Sequence, residues 1–223
     1  MLVEAFTAVC LGYGSYKDIK TREIPDTLWL IMGGVGVVLR LFDHQWKVMG
    51  VSVGIALVLG AVLLVSGLFG GADIKAFIAL SLLVPQYPGA AVVLPVFVVS
   101  VFNNLAVIRV IEILVVFLYN IVKGNWYKGD IPQWKKILLY MTGFPREKEK
   151  VDYRFLPLQD LQGDIHLVPD IDTDIEQFKK ECTLKEIWVT YGSPLIAYIT
   201  VGCFIAFIKG DILLHLMMHF AGF

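Results

Sequence analysis

The sequence predicts an all-α polytopic membrane protein of six transmembrane helices, with a small α+β cytoplasmic insert between helices five and six. Three observations carry that expectation. Of the 223 residues 57% are hydrophobic and the mean hydropathy is +0.70, too apolar for an ordinary soluble globule. Apolar runs recur near the ~20 residues that an α-helix needs to cross a hydrocarbon layer. Lys and Arg also divide unevenly when the loops are assigned alternately from an outer N-terminus: fifteen fall inside, and only Arg40, Lys47 and Lys209 outside. Such asymmetry sets orientation. A net charge of −1 gives no electrostatic reason to expect nucleic-acid binding.

The first span is expected over residues 2–16, with Gly12 and Gly14 as a small-residue face. A polar loop over 17–26 follows, and Pro25-Asp26-Thr27 restarts a helix. Span two, 28–42, holds Gly33, Gly34 and Gly36; no strand precedes them, so they read as helix packing and not as a nucleotide loop. Span three, 48–68, contains Gly50 and Gly54 at GxxxG spacing, a helix-contact signature. Span four, 73–84, is short and stops before Pro85 and Pro88. Span five, 90–122, encloses Asn103, Asn104 and an Arg109–Glu112 pair at i,i+3.

Residues 123–185 are rich in charge, Pro and Trp. An amphipathic helix is expected over 132–143, from Pro132 to Gly143, with a small β element over 153–168 and a short helix over 173–182. The last span is read as 187–208, interrupted at Gly192-Ser193-Pro194, with an apolar tail over 212–220. The expected division is a membrane catalytic region (1–122), a soluble cytoplasmic domain (123–186), and helix six with its tail (187–223).

Everything is organised around 69–76, Phe69-Gly70-Gly71-Ala72-Asp73-Ile74-Lys75-Ala76, which sets an acid between two apolar runs. An ionised Asp at membrane depth costs ~3 kcal/mol, so it faces the protein interior or water and marks function. Gly70 and Gly71 relax the backbone before it, or admit another backbone. With the orientation above, Asp18 falls at the same cytoplasmic edge as Asp73. Two carboxylates held close share a proton: one activates water and the other donates to the scissile group. The residues alone leave other readings open. Both acids serve equally as helix caps or as partners of Lys17, Lys20 and Lys75, or as the cation or proton site of a small coupled transporter; a membrane scaffold that docks a partner on the insert would need neither.

Gly70-Gly71-Ala72-Asp73-Ile74-Lys75 resembles the GxGD motif of the membrane aspartyl proteases, which include type IV prepilin peptidases, archaeal preflagellin peptidases and presenilins. Asp18, followed by Ile24-Pro25, resembles the other aspartate of the prepilin peptidase branch. Six spans with one cytoplasmic insert look most like the preflagellin peptidase branch. That resemblance implies Asp18 and Asp73 as the catalytic pair, with Gly70, Gly71, Ala72, Lys75, Ile24 and Pro25 in support. It also implies a multi-pass enzyme of the cell membrane that removes short basic leaders from preflagellin or prepilin-like proteins, with no cofactor, no metal and only the lipid bilayer as a further partner. Lys75 is expected to tune the Asp73 carboxylate.

The chain departs from the family pattern in three places. Ala72 stands where the motif has Gly, and Lys17 separates Tyr16 from Asp18. Cys10, Cys182 and Cys203 form no cysteine-pair zinc segment, so the methyltransferase activity of bacterial relatives is not expected. His215 and His219, at i,i+4, read as an amphipathic face. No HExxH, GxSxG or P-loop occurs.

Overall fold

A computed structural model describes residues 2–65, 70–87, 95–170 and 173–222. Phe69, Pro88 and parts of the third and fifth expected spans (66–68 and 90–94) lie outside the described residues. The first five helices are α1 (Leu2–Thr21), α2 (Asp26–Asp43), α3 (Trp46–Val65), α4 (Gly71–Leu83) and α5 (Phe97–Lys123). They are followed by α6 (Gln133–Thr142), β1 (Phe144–Glu147), β2 (Phe155–Pro157), α7 (Ile175–Glu181), β3 (Glu186–Tyr191), α8 (Leu195–Lys209) and α9 (Ile212–Ala221). The chain divides into two compact units, Met1–Ile108 with Pro194–Phe223, and Arg109–Ser193.

The protein is mostly helical and of membrane type. Two helices, α3 and α5, are long and apolar enough to cross a bilayer alone, with mean hydropathies of 2.7 and 2.3. The pair α8–α9, bent by 55°, counts as a third span if taken as one. The other helices of the first unit miss this measure for visible reasons. With 13 residues α4 rises only ~20 Å, against a hydrocarbon layer of ~30 Å. Charges occupy the last turns of α1 and α2.

In the first unit α4 lies against both α2 and α3, and α1 lies against α8. Ala76, Phe77, Ala79, Leu80 and Leu83 of α4 are each at most 2% exposed and form the centre of the core. Small residues set these crossings, because backbones that approach closely leave no room for a side chain. A Cβ on Gly36 would stand 2.5 Å from the Leu82 carbonyl carbon, and one on Gly60 2.8 Å from Cγ2 of Ile74.

The expected GxxxG face on α3 is corrected. Nothing lies within 4 Å of a Cβ on Gly50 or Gly54; α3 buries Ser52, Ala56, Gly60 and Leu63 instead. Two residues of helix turn through about 200°, so those glycines point away from the contact side. Gly12 and Gly34 likewise meet nothing, whereas Gly14 and Gly33 do pack against neighbours.

The polar loop expected over 17–26 is also shorter than its composition implies. Helix α1 continues to Thr21 and ends at Arg22, whose left-handed φ of 59° turns the chain. Pro25 then precedes α2 with φ −67° and ψ 132°, the extended backbone that a helix entry takes.

The second unit holds a three-stranded antiparallel sheet in the order β1-β3-β2. Phe144 pairs with Val189, and Phe155 with Tyr191. This corrects the expected start of the last span: residues 187–191 are strand, and the helix begins only at Leu195. Ile187 and Val189 face a cluster of Val151, Phe155, Phe178 and Cys182, while Trp188 faces Leu139, Tyr140, Leu158 and Ile165. Helix α6 starts and stops as Pro132 and Gly143 predict. A Cβ on Gly143 would lie 3.0 Å from the Val189 carbonyl, so the glycine is needed for close approach. Arg109 and Glu112 form the expected intrahelical ion pair, joined by Ser193, whose hydroxyl donates to Glu112 at 2.7 Å.

Candidate active site

Asp18 occupies the last turn of α1 and is 9% exposed. It does not cap its own helix. Its Oδ2 accepts from the Ile196 backbone N–H at 3.0 Å, and the Ala197 amide adds to this. Both donors belong to the first turn of α8, which leaves amides without intrahelical partners. Pro194, in the cap position, supplies no side-chain acceptor. Asp18 therefore caps α8 from another helix. Arg22 stands 3.7 Å from its other oxygen. The α1–α8 contact is drawn together further by Ser15 and Thr200, whose hydroxyls are 2.7 Å apart.

Asp73 is the third residue of α4 and is 7% exposed. Its Oδ2 reaches back one turn and accepts from the Gly70 N–H at 2.9 Å, the reciprocal half of a capping box. Gly70 itself is extended, with φ −87° and ψ 168°, a backbone open to any residue. No atom lies within 4 Å of a Cβ on Gly71, and both glycines are exposed. A Cβ on Gly70 would lie 3.5 Å from Oδ2 of Asp73, and among the described residues no backbone comes within 4 Å of one on either glycine.

Helices α1 and α4 touch, and the charge on Asp18 is among those acting on Asp73. Both acids are thus buried in the same unit, on helices that touch. Ile24 packs against the same apolar core, and the Pro25 carbonyl accepts from Leu28 at 3.0 Å to start α2. Ala72 is half-buried in the first turn of α4. Lys75 differs from expectation: its ammonium grips both oxygens of Asp26, at 2.7 and 2.8 Å, and so ties α4 to α2. A groove of about 460 Å³ between α2 and α4 has Asp26 and Lys75 in its walls but neither Asp18 nor Asp73.

Three partners escaped the reading of the sequence: Ile196, Ala197 and Asp26. The break at Ser193-Pro194 was the available signal, since a helix that starts on proline must find its cap elsewhere. At the far end of α8, Asn103 donates to Asp211 at 2.7 Å, and Asn104 donates to the Gly202 and Gly210 carbonyls, fastening the bend into α9. His215 Nδ1 lies 2.7 Å from the Asp211 carbonyl within that bend.

Comparison with known proteins gives consistent matches. The model described as the type IV leader peptidase family matches residues 5–127, and the one described as archaeal peptidase A24 C-terminus type II matches residues 135–212. A preflagellin peptidase of Methanococcus maripaludis is 30% identical over 96% of this chain and 97% of its own. One from Methanocaldococcus jannaschii is 29% identical over 92% of each chain. That of Methanococcus voltae is 22% identical over 98% of this chain and 99% of its own.

Proposed function

The chain belongs to the type IV leader peptidase family, and we propose on that footing that it is an aspartyl endopeptidase that removes short basic leaders from preflagellin-like substrates. That it is a peptidase follows from the family; the two-aspartate mechanism is the proposal. The observation that carries it is the burial of two carboxylates, Asp18 and Asp73, on touching helices of one unit. In such a pair one carboxylate takes a proton from the attacking water. Its protonated neighbour donates to the scissile carbonyl; the first acid then gives the proton taken from water to the leaving amine, and the neighbour regains its own as the gem-diol collapses. No covalent intermediate forms.

The proposed arrangement has six spans, α1, α2 and α4 crossing beside α3, α5 and the bent α8–α9 pair. Asp18 and Asp73 then stand at the cytoplasmic edge, as the Lys/Arg asymmetry requires. Residues 1–122 carry the catalytic region, and the segment from 123 to the end of β3 is the cytoplasmic domain.

The test is cleavage of a purified leader-bearing preflagellin, with the new N-terminus mapped. Asp18→Asn and Asp73→Asn each abolish cleavage, and the double variant is scarcely worse because the pair acts as a unit. The rate falls at both acid and alkaline pH, with apparent pKa values belonging to the pair. Robust cleavage by either folded single variant overturns the mechanism; ion-dependent uptake without cleavage would mark a transporter.

A further inference from the structure

The second unit carries an apolar surface that its own core does not use. Helix α6 buries Leu139 and Tyr140, yet Trp134, Ile137 and Leu138 are 60, 53 and 41% exposed. With half-buried Met141 they stand at i, i+3, i+4 and i+7, one continuous stripe along the helix. Trp126, 55% exposed, is a further exposed ring of the same unit, held edge-on against buried Tyr140 of α6 with ring centroids 5.3 Å apart. Lysines surround it: four, Lys123, Lys128, Lys135 and Lys136, against the single Asp130 between 123 and 142. Lys135 borders the stripe, whereas Lys136 falls on the other side of the helix.

The level at which this stripe sits is fixed by one buried side chain. Asn120, in the last turn of α5 and 0% exposed, donates to the Tyr140 carbonyl at 2.8 Å and the Gly143 carbonyl at 2.7 Å. Those are the terminal carbonyls of α6, which lack intrahelical donors. Asn125 returns to Asn120 at 3.0 Å, and the Tyr127 N–H donates to the Tyr140 hydroxyl. The end of α6 is thus clamped to the end of α5. Along α5 the exposed face is apolar without interruption, from Val110 through Leu114 and Leu118 to Val122, and ends at Lys123. The outward apolar face of a membrane-crossing helix therefore ends beside the helix that carries the stripe.

We infer that α6 and the 124–131 loop form a docking surface for the bilayer itself, with Trp126, Trp134, Ile137 and Leu138 seated among the headgroups of anionic lipids and Lys123, Lys128 and Lys135 against their phosphates. Tryptophan favours that layer because its ring is apolar and its N–H polar, and lysines beside a span attract anionic lipid. A short helix with an apolar stripe and basic flanks lies in the plane of the interface. The soluble unit is in this way attached to the membrane at α6 as well as through its two ends.

The test uses the full-length protein in bilayers of phosphatidylcholine with one third phosphatidylglycerol. Spin labels are placed at Leu138→Cys and, as a water-exposed reference, at Glu149→Cys; leader cleavage by each variant reports that the fold is intact. The expected result is that label 138 collides readily with oxygen and is shielded several-fold from a water-soluble nickel chelate relative to label 149. Replacing Lys123, Lys128 and Lys135 with Gln, or omitting phosphatidylglycerol, lowers that shielding at least twofold. Equal nickel access at 138 and 149 overturns the inference. So does low access to both reagents at 138, which means a protein partner, and shielding that ignores lipid charge and the lysines.

Discussion

Gly36→Ala tests whether the approach of α2 to α4 positions Asp73. An added Cβ would stand 2.5 Å from the Leu82 carbonyl carbon and 2.6 Å from both its oxygen and the Leu83 nitrogen. All three are backbone atoms, so no rotamer change relieves them. Ordinary carbon contacts begin near 3.5 Å, and the helices must part locally by ~1 Å. Overpacking of that kind costs ~1–3 kcal/mol. Gly34→Ala is the matched reference, for it adds the same methyl to the same helix with nothing within 4 Å. Both variants gain ~1 kcal/mol of helix propensity, which cancels in the comparison. The remaining difference lowers the melting temperature of Gly36→Ala relative to Gly34→Ala by roughly 2–12 °C for a chain this size.

The buried thiols of Cys10 and Cys203, both in the first unit, are natural reporters for a fluorogenic thiol dye during a thermal ramp. Because a ~1 Å misplacement of a catalytic group can cost ~100-fold, cleavage by the folded Gly36→Ala enzyme falls by one to two orders of magnitude. If Gly36→Ala melts with Gly34→Ala and cleaves at the wild-type rate, the crossing does not position Asp73 and the argument fails.

Two further outcomes separate chemistry from scaffolding. Asp18→Asn keeps an oxygen for the Ile196 amide and melts close to wild type, whereas Asp18→Ala uncaps α8, costs about 1 kcal/mol and melts about 2–4 °C lower. Neither cleaves substrate, and identical melting of the two would show that the cap across helices contributes nothing. Lys75→Ala breaks a half-exposed pair with Asp26 worth at most ~1 kcal/mol after solvent screening, so kcat/KM stays far above that of Asp73→Asn. A loss as complete as that of the aspartate variant would return Lys75 to the chemistry.

The helices that could be read from the sequence are those whose signals are local. Pro132 and Gly143 bracket α6, and continuous hydropathy marks α3 and α5. Strand β3 was hidden because it is central: both of its faces are covered, so Ile187, Trp188 and Val189 show no alternation and merge with the apolar run of α8. Asp73 stood out from its apolar context, and Asp18 from the Lys/Arg orientation and the Ile24-Pro25 that follows it. Their surroundings were not, since the partner of Lys75 lies 49 residues away and that of Asp18 lies 178. Spacing within a helix cannot announce a contact made by another.

The bond from Ile196 to Asp18 also imposes an order on biogenesis. Both acids are in the chain once residue 73 is made, but the amide that holds Asp18 is synthesised 178 residues after it. A nascent chain that stops short of α8 carries the two carboxylates without that restraint, and synthesis of α8 is what secures α1. The two helices act as a clasp fastened only after residue 196 is made, so a molecule still shorter than that in the translocon holds the reactive groups without the tether on Asp18.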